Sequence, residues 1–165
     1  MKSFSEIDTV SKRSSRAAGF SWGIAEEIGK NIRLLEIFSL PGIKNLNDFL
    51  NKKKNIKLEN LNLIIKNNIA NNSQYCPISA GVNFLDQIKS LEVLSEIKFQ
   101  NIAYPMLFLP FVSRASEIAG KRILLKLDEN EFLLNFNNNI NSNFSKKEII
   151  EVAKNVSIKI LENED

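Results

Sequence analysis

The 165-residue chain has 44% hydrophobic and 25% charged residues, and its 22 basic and 19 acidic side chains leave a formal charge of only +3. These proportions are typical of a globular protein and exclude a fibrous or wholly disordered chain, and the nearly balanced charge does not favour a polyanionic partner. A chain of this length buries about two-thirds of its unfolded surface, enough for one core. We therefore predict a single domain over residues 1–165.

Histidine is absent and Cys76 is the only cysteine. The first absence excludes Ser-His-Asp and Cys-His catalysis and histidine zinc sites, and a lone cysteine excludes internal disulfides and four-cysteine metal sites. A magnesium or calcium site made of carboxylates alone stays possible but has no support in the sequence. We therefore expect no metal and no cofactor, and catalysis is disfavoured. The chain also lacks an apolar run of about 18 residues and an apolar leader, which predicts a cytoplasmic location without membrane attachment.

The N-terminal residues predict two helices joined by a glycine turn. Ser3 and Glu6 have the spacing of a capping box, and Gly19 is suited to the left-handed conformation that ends a helix. Ser21 is a suitable N-cap for the second helix, which should end near Ser39. A third, shorter helix is predicted from Ile43, a strand or helical turn in LENLNLII, and a fourth helix from Pro77 to about Leu94.

From residue 96 the predicted order is strand, helix, strand, strand, helix, strand. The segments are IKFQNIAYPMLFL, PFVSRASEIAG, the hairpin RILLKLDENEFLLNF, IIEVAKN after a capping box at Ser145 and Glu148, and VSIKIL. This order matches the split βαβ motif of ferredoxin-like domains. We predict an α+β fold in which a helical half, about residues 1–95, packs with a small, mainly antiparallel sheet in residues 96–165.

The most apolar window, PMLFLPFV, has two interpretations. It is either a central core strand or an exposed edge strand. An exposed edge carrying this segment would favour a homo-oligomer or a protein partner.

Trp22 lies directly after the glycine turn, and a structural interpretation explains its position. Small residues of the first helix, namely Ser14, Ala17 and Ala18, would let the two helices approach closely. That contact would compensate for Gly29 in the middle of the second helix. Trp22 would then cover the end of the shared core.

A functional interpretation uses the same turn. The free amides of a helix N-terminus attract anions, Gly23 lets a ligand approach the backbone, and Arg16 and Arg33 add positive charge. Glu26 and Glu27 oppose an anion there. The candidate ligand-binding residues are Arg16, Gly19, Trp22, Gly23, Glu26, Arg33 and Arg114.

A helix-turn-helix DNA reader is a third interpretation of these helices, because Lys12, Arg13 and Arg16 lie near the glycine turn. The two carboxylates at the start of the second helix would repel phosphates, so nucleic acid is disfavoured.

Cys76 and Arg114 are two further candidates. Cys76 precedes the first helical position, Pro77, where a thiol can become reactive, although a buried and inert thiol is the commoner case. Arg114 lies in an otherwise apolar helix. It extends to solvent, pairs with an acid such as Glu117, or faces a ligand carboxylate.

The stretch SEIDTVSKRSSRAAGFSWGIAEEIGKNIRLLEIFSLPG resembles the opening of a bacterial family known as domain of unknown function 3726. The matching residues are Glu6, Ile7, Arg16, Ala18, Gly19, Trp22, Gly23, Ala25, Glu26, Glu27, Arg33, Leu40 and Gly42, followed by CP at Cys76 and YPMLFLPFVSRAS from Tyr104. The resemblance implies a stand-alone bacterial protein and supplies no established activity or catalytic residue. It also implies a Gly/Ala/Ser-rich segment after the last strand, whereas the sequence ends in LENED.

Two classes of function follow from these observations. The favoured one is a non-catalytic accessory or protein-interaction module of a bacterial cytoplasmic pathway. The alternative is a protein or enzyme that binds a small acidic metabolite at the Gly19–Glu27 turn. Such a binder should show a cavity beside Trp22, whereas an interaction module should bury Trp22 and expose an apolar patch elsewhere.

Overall fold

The computed structural model describes residues 3–61, 73–91, 94, 96–137, 139–144 and 149–162. The helices are α1 (Phe4–Ala17), α2 (Trp22–Ile37), α3 (Gly42–Lys52), α4 (Pro77–Leu91) and α5 (Leu109–Ala119). The strands are β1 (Leu58–Glu59), β2 (Gln74–Tyr75), β3 (Glu96–Ala103), β4 (Ile123–Leu127), β5 (Asn130–Asn135), β6 (Asn139–Ser142) and β7 (Val152–Ile160).

The first two helices begin and end where the sequence predicts. Ser3 Oγ accepts the N–H of Glu6 at 3.2 Å, and Ser21 Oγ accepts the N–H of Ile24 at 3.3 Å. Each cap thus satisfies a backbone donor that the helix itself leaves free. Gly19 has a φ of +105°, a conformation that strains residues with a side chain, and it turns the chain from α1 into α2.

Helices α1 and α2 form an antiparallel hairpin. Their contacts advance in opposite directions along the chain: Arg16 lies against Trp22, Lys12 against Glu26, and Asp8 against Gly29. The two helices therefore run side by side over most of their length.

The hairpin packs through small residues, as predicted, but different ones. The buried small residues at this contact are Ser11, Ser15, Ala25 and Gly29. The prediction for Ser14, Ala17 and Ala18 is wrong, because α1 is rotated by about one residue and leaves Ser14 and Ala17 exposed and Ala18 only half-buried.

The seven strands form one sheet in the order β1-β2-β3-β7-β4-β5-β6. β1, β2 and β3 are parallel, and the pairs from β3 to β6 are antiparallel. The fold is α+β with a helical N-terminal half, as predicted, although the sheet also contains β1 and β2 from that half.

Strand β7 determines how the C-terminal elements connect. It pairs antiparallel with both β3 and β4, so these two are parallel to each other and are joined by α5. This arrangement is a split βαβ unit. The predicted second helix, IIEVAKN, is wrong because Val152–Ile160 form β7, and its capping box at Ser145 and Glu148 lies outside the described residues.

The helices of the described residues leave one face of the sheet open. Helices α4 and α5 pack on each other, and Phe108 just before α5 contacts both Phe84 of α4 and Phe99 of β3, with ring centroids 6.1 and 5.7 Å apart. The α1–α3 region packs on α5 and on the 3₁₀ turn Pro105–Leu107. Within the described ranges, no helix has both the length and the hydropathy required to cross a bilayer.

The segment PMLFLPFV is neither a core strand nor an exposed edge, so both interpretations of it are wrong. It forms the 3₁₀ turn and the start of α5, and all eight of its residues are buried. Pro105 and Pro110 lack the N–H groups that a central strand must donate, and both suit the first turn of a helix.

Gly29 provides a test of the helix contact. A methyl group there would lie 2.6 Å from Asp8 Oδ1 and 2.8 Å from the Asp8 carbonyl oxygen. We expect Gly29→Ala to lower the free energy of unfolding by about 1–2 kcal/mol, because crowding outweighs the gain in helix propensity. Gly23→Ala is the matched control: beyond its neighbours in the same helix no atom lies within 4 Å of its Cβ position, and we expect it to be neutral or to stabilise by up to about 1 kcal/mol, because it keeps the gain in helix propensity without the crowding.

Urea unfolding followed by tryptophan fluorescence measures both effects. Stabilisation by Gly29→Ala, with an unchanged denaturant slope, would show that the helices are further apart than this contact requires.

Candidate functional site

Trp22 lies on the surface at the glycine turn. Its side chain is 57% exposed, and its ring is 5.8 Å from Lys12 Nζ and 5.2 Å from Arg16 Cζ. The prediction that Trp22 closes the seam between the helices is therefore wrong, since serine, alanine and glycine fill that seam. The ring instead lies against the charged ends of two cationic side chains.

Phe20 and Lys53 extend this arrangement. Phe20 is half-buried, and Lys53 Nζ lies 4.4 Å from the centroid of the Phe20 ring. Arg16 Nη1 donates to the Phe20 carbonyl oxygen at 3.1 Å. We call the group formed by Lys12, Arg16, Phe20, Trp22 and Lys53 the turn surface. It combines two aromatic rings with three cations.

The turn surface has a positive excess. Glu26 Oε1 is 3.4 Å from Lys12 Nζ and partly balances it, whereas Arg16 and Lys53 make no ion pair with any described residue. Gly19 and Gly23 border open space. Of the predicted ligand-binding residues, Arg16, Gly19, Trp22, Gly23 and Glu26 thus lie together at one end of the hairpin.

Arg33 and Arg114 do not join this group. Arg33 lies 11 residues after Trp22 on α2, which places it about 16 Å further along the helix axis. Arg114 is paired with Glu27, and both side chains are 30% exposed. The suggested Glu117 partner is therefore wrong, although its charge opposes the desolvation that lowers the pKa of Arg114.

Cys76 connects β2 to α4. Its side chain is half-buried and packs against the core, and its N–H donates to the Glu59 carbonyl oxygen at 2.9 Å. These contacts position the residue for packing. A reactive thiol at this position stays a prediction.

A polar cluster around Tyr104 was not predicted. The residue is 1% exposed, has a left-handed φ of 43°, and donates its hydroxyl to Asp48 Oδ2 at 2.6 Å. Lys52 Nζ continues the cluster, 3.3 Å from Asp48 Oδ2 and 2.9 Å from Glu151 Oε1. Positive φ is uncommon for an aromatic residue and indicates a conformation imposed by its surroundings.

The contacts within the cluster favour an ionised Asp48 and a protonated Tyr104. The hydrogen bond from Tyr104, aided by Lys52, lowers the pKa of Asp48. Burial and the Asp48 carboxylate raise the pKa of Tyr104, so its hydroxyl remains a donor at ordinary pH. The cluster joins α3 to the end of β3 and to the residue before β7.

Two cavities lie on the sheet. One, of about 680 Å³, is on the open face and is lined by β3, β7, β4 and β5. The other, of about 390 Å³, lies beside β1 and β2. No residue of the turn surface lines either one, and no group of three or more acidic or cysteine side chains suited to a metal occurs in the described part of the chain.

Comparison with known proteins gives a family match over the part of the chain that carries the turn surface. Residues 2–75 match the model of the family described as protein of unknown function (DUF3726), which confirms the resemblance over those residues. The matched part contains α1, α2 and α3, and the later resemblance from Cys76 lies beyond it. No curated protein and no solved structure gives a significant match.

Tyr104→Phe tests the polar cluster. We expect it to lower the free energy of unfolding by about 1–2 kcal/mol at neutral pH, because a carboxylate loses its hydrogen bond. The bond lowers the pKa of Asp48 in the folded state, so this contribution is present above pH about 4 and is lost as the pH falls through the lowered folded pKa.

The measurement is urea unfolding at a series of pH values from about 2 to about 7, which spans the titration of carboxylates. Tyr75→Phe is the control, because the Tyr75 hydroxyl makes no hydrogen bond with the described residues. A difference between wild type and Tyr104→Phe that stays constant with pH would contradict the assignment to Asp48.

Proposed function

We propose that this protein is a non-catalytic protein-interaction module and that the turn surface binds its partner. The observation that carries the proposal is the exposure of Trp22, the only tryptophan of the chain, at 57% between two cationic side chains. Tryptophan and arginine are the residue types most enriched among those that dominate binding energy at protein interfaces.

Stability alone gives a weak reason for this exposure. A cation–π contact at an exposed site contributes about 0.5–1 kcal/mol, whereas full burial of a large apolar side chain stabilises by about 1.5–3 kcal/mol. The hairpin closes without Trp22, because Ser15 and Ala25 are completely buried in its seam. The sequence-based expectation that an interaction module buries Trp22 is therefore wrong. The proposal rests instead on an exposed indole that the core does not use and that is available to a partner.

The partner that fits this surface is an acidic protein segment carrying an apolar anchor. Lys12, Arg16 and Lys53 outnumber Glu26 at the turn surface, and the rings of Trp22 and Phe20 lie between the charges. Carboxylates of the partner would approach the cations while its apolar side chain covers the indole. Complementary charge of this kind chiefly increases the association rate and the specificity.

The alternative functions use the same turn and have weaker support. A small acidic metabolite requires a concave site, and the cavities at hand line the sheet. A helix-turn-helix reader crosses its two helices at about 90–120°, whereas contacts between α1 and α2 extend along the hairpin from Arg16 to Asp8. The interaction module does not depend on either feature.

We also place this activity in the bacterial cytoplasm. The bacterial setting follows from the family resemblance, and a single cysteine suits a reducing compartment. A second copy of the chain is an alternative partner, because the same surface carries both Glu26 and the cations that would face it.

Fluorescence of Trp22 tests the proposal directly, since no other tryptophan contributes. The probe is a short peptide with a central leucine flanked by glutamates, and we expect it to shift the emission and protect the indole from acrylamide quenching. Arg16→Gln should weaken binding about threefold to tenfold, and the effect of the peptide should fall as salt is raised.

Lys89→Gln is the matched control, because it removes one exposed positive charge on α4, away from the turn. It should leave binding unchanged. A response to citrate but not to the peptide would favour the metabolite alternative, and a response to duplex DNA alone would favour the DNA reader; either result overturns the interaction proposal.

A further inference from the structure

The cavity beside β1 and β2 has a lining in which polar residues predominate. Its volume is about 390 Å³, within the range of about 300–1,000 Å³ that is usual for ligand sites. The polar residues that the structure describes in this lining are Asn55, Lys57, Ser73, Gln74 and Asn101. They belong to the segment before β1, to the residues at the start of β2, and to β3. The fold therefore brings three distant parts of the chain together around one concave site.

Strand β3 departs from its regular pairing at this cavity. Gln100 and Ile102 pair with residues of β7, whereas Asn101 between them has no partner in the register and has a left-handed φ of 60°. Asparagine is one of the few residues that tolerate this conformation. Residues held in such conformations cluster at binding and active sites. Asn101, which is half-buried in the cavity lining, is therefore a candidate binding residue.

The described lining carries one charge, the ammonium group of Lys57. Lys57 makes no ion pair with any described residue, and none of the described lining residues is acidic. The acids closest to the lining in sequence are Glu59 and Glu151, which do not line the cavity, and Glu151 is paired with Lys52. The cavity thus presents a single positive charge that no lining carboxylate compensates.

Three carboxamides provide most of the remaining polar groups. The side chains of Asn55 and Asn101 and the amide nitrogen of Gln74 make no hydrogen bond with the described residues. A carboxamide group has two donor hydrogens and an acceptor oxygen. A hydroxyl group also donates and accepts, so a ligand with several hydroxyl groups complements several carboxamides at once.

Two enclosed oxygens at the wall of the cavity also lack partners. Ser73 is 7% exposed, and neither its hydroxyl oxygen nor Gln74 Oε1 takes part in a hydrogen bond within the described part of the chain. Native proteins leave few buried polar groups unpaired, because each one costs free energy. Rotation of either side chain would bring its oxygen to the cavity, where a hydroxyl group of a ligand would supply the missing partner.

We propose that this cavity binds a small polyhydroxy carboxylate, an acid of the sugar-acid class. Lys57 contacts the carboxylate of the ligand, and the three carboxamides contact its hydroxyl groups. Ile56 and Val152, both half-buried, contribute apolar surface for the C–H groups of the ligand. This site is separate from the turn surface and does not rest on the proposed interaction function.

The lining fits three other classes of small ligand less well. The ammonium group of a free amino acid would have no carboxylate partner in the described lining. A phosphate ester carries about two negative charges, and the cavity opposes them with one lysine. A nucleobase would require an aromatic side chain for stacking, and none occurs among the described lining residues.

D-Gluconate is the probe, titrated into the ¹⁵N-labelled protein and followed by amide chemical shifts. We expect saturable shifts at Lys57, Gln74 and Asn101. Glucose lacks the carboxylate and acetate lacks the hydroxyl groups, so each should bind about tenfold more weakly or worse.

Two variants test the residues that the site depends on. Lys57→Gln removes the cation and should weaken gluconate binding about tenfold. Asn101→Asp retains a residue type that tolerates the left-handed conformation but places a carboxylate in the cavity, and it should weaken binding about tenfold or more by repulsion. Lys57 is exposed, so its variant keeps the fold and decides the test alone if Asn101→Asp does not fold.

Lys54→Gln is the matched control, because it removes one exposed positive charge from the turn Lys53–Asn55 and Lys54 does not line the cavity. It should leave gluconate binding unchanged. Equal weakening by Lys54→Gln and Lys57→Gln would indicate attraction by net charge and would overturn the site. Equal binding of glucose and gluconate, or shifts confined to the turn surface, would overturn it as well.

Discussion

The pairing of β7 with both β3 and β4 is the interaction on which the rest of the structure depends. β7 is the last element in the chain and lies in the middle of the sheet. Its inward residues, Ala153, Val156, Ile158 and Ile160, are buried, whereas Ser157 and Lys159 point to the open face. One strand therefore supplies the centre of the core and part of the open face. Because its partners are distant in sequence, the sheet depends on contacts between distant parts of the chain.

The pairing also explains the position of Asp128. β4 ends at Leu127, opposite Val156, so the next backbone donors of β7 have no strand beside them on that side. Asp128, with a left-handed φ of 54°, turns back and accepts those N–H groups through its carboxylate. An unsatisfied backbone donor costs about as much as a lost hydrogen bond, so this acid has a structural role.

Local signals predict most of the helices, because a cap or a glycine acts through neighbours in sequence. Ser3, Gly19 and Ser21 define the α1–α2 hairpin in this way. These local signals fail where partners distant in sequence determine whether a segment forms a helix or a strand. The segment after residue 148 has helical spacing. Its β-branched residues Val156, Ile158 and Ile160 nevertheless lie on β7, which pairs with two neighbouring strands at once. A local pattern contains no information about those strands.

The candidate sites were predicted less well for the same physical reason. Arg16, Trp22 and Glu26 come together because one hairpin brings them together, and the sequence identifies that hairpin. The pairing of Arg114 with Glu27 and of Tyr104 with Asp48 joins residues 87 and 56 positions apart. The cavity lined by Lys57, Gln74 and Asn101 likewise joins segments that are distant in sequence.

These long-range contacts also determine what the family match implies. The matched residues 2–75 end within β2, whose next partner in the sheet is Ile102 of β3. The helices are tied to the later chain as well: Phe49 packs on Tyr104, with ring centroids 5.5 Å apart, and Glu27 pairs with Arg114. The matched segment is therefore one part of a core completed by residues after it. The turn surface lies at the glycine turn of the α1–α2 hairpin, so the partner that we propose would bind without disturbing those contacts.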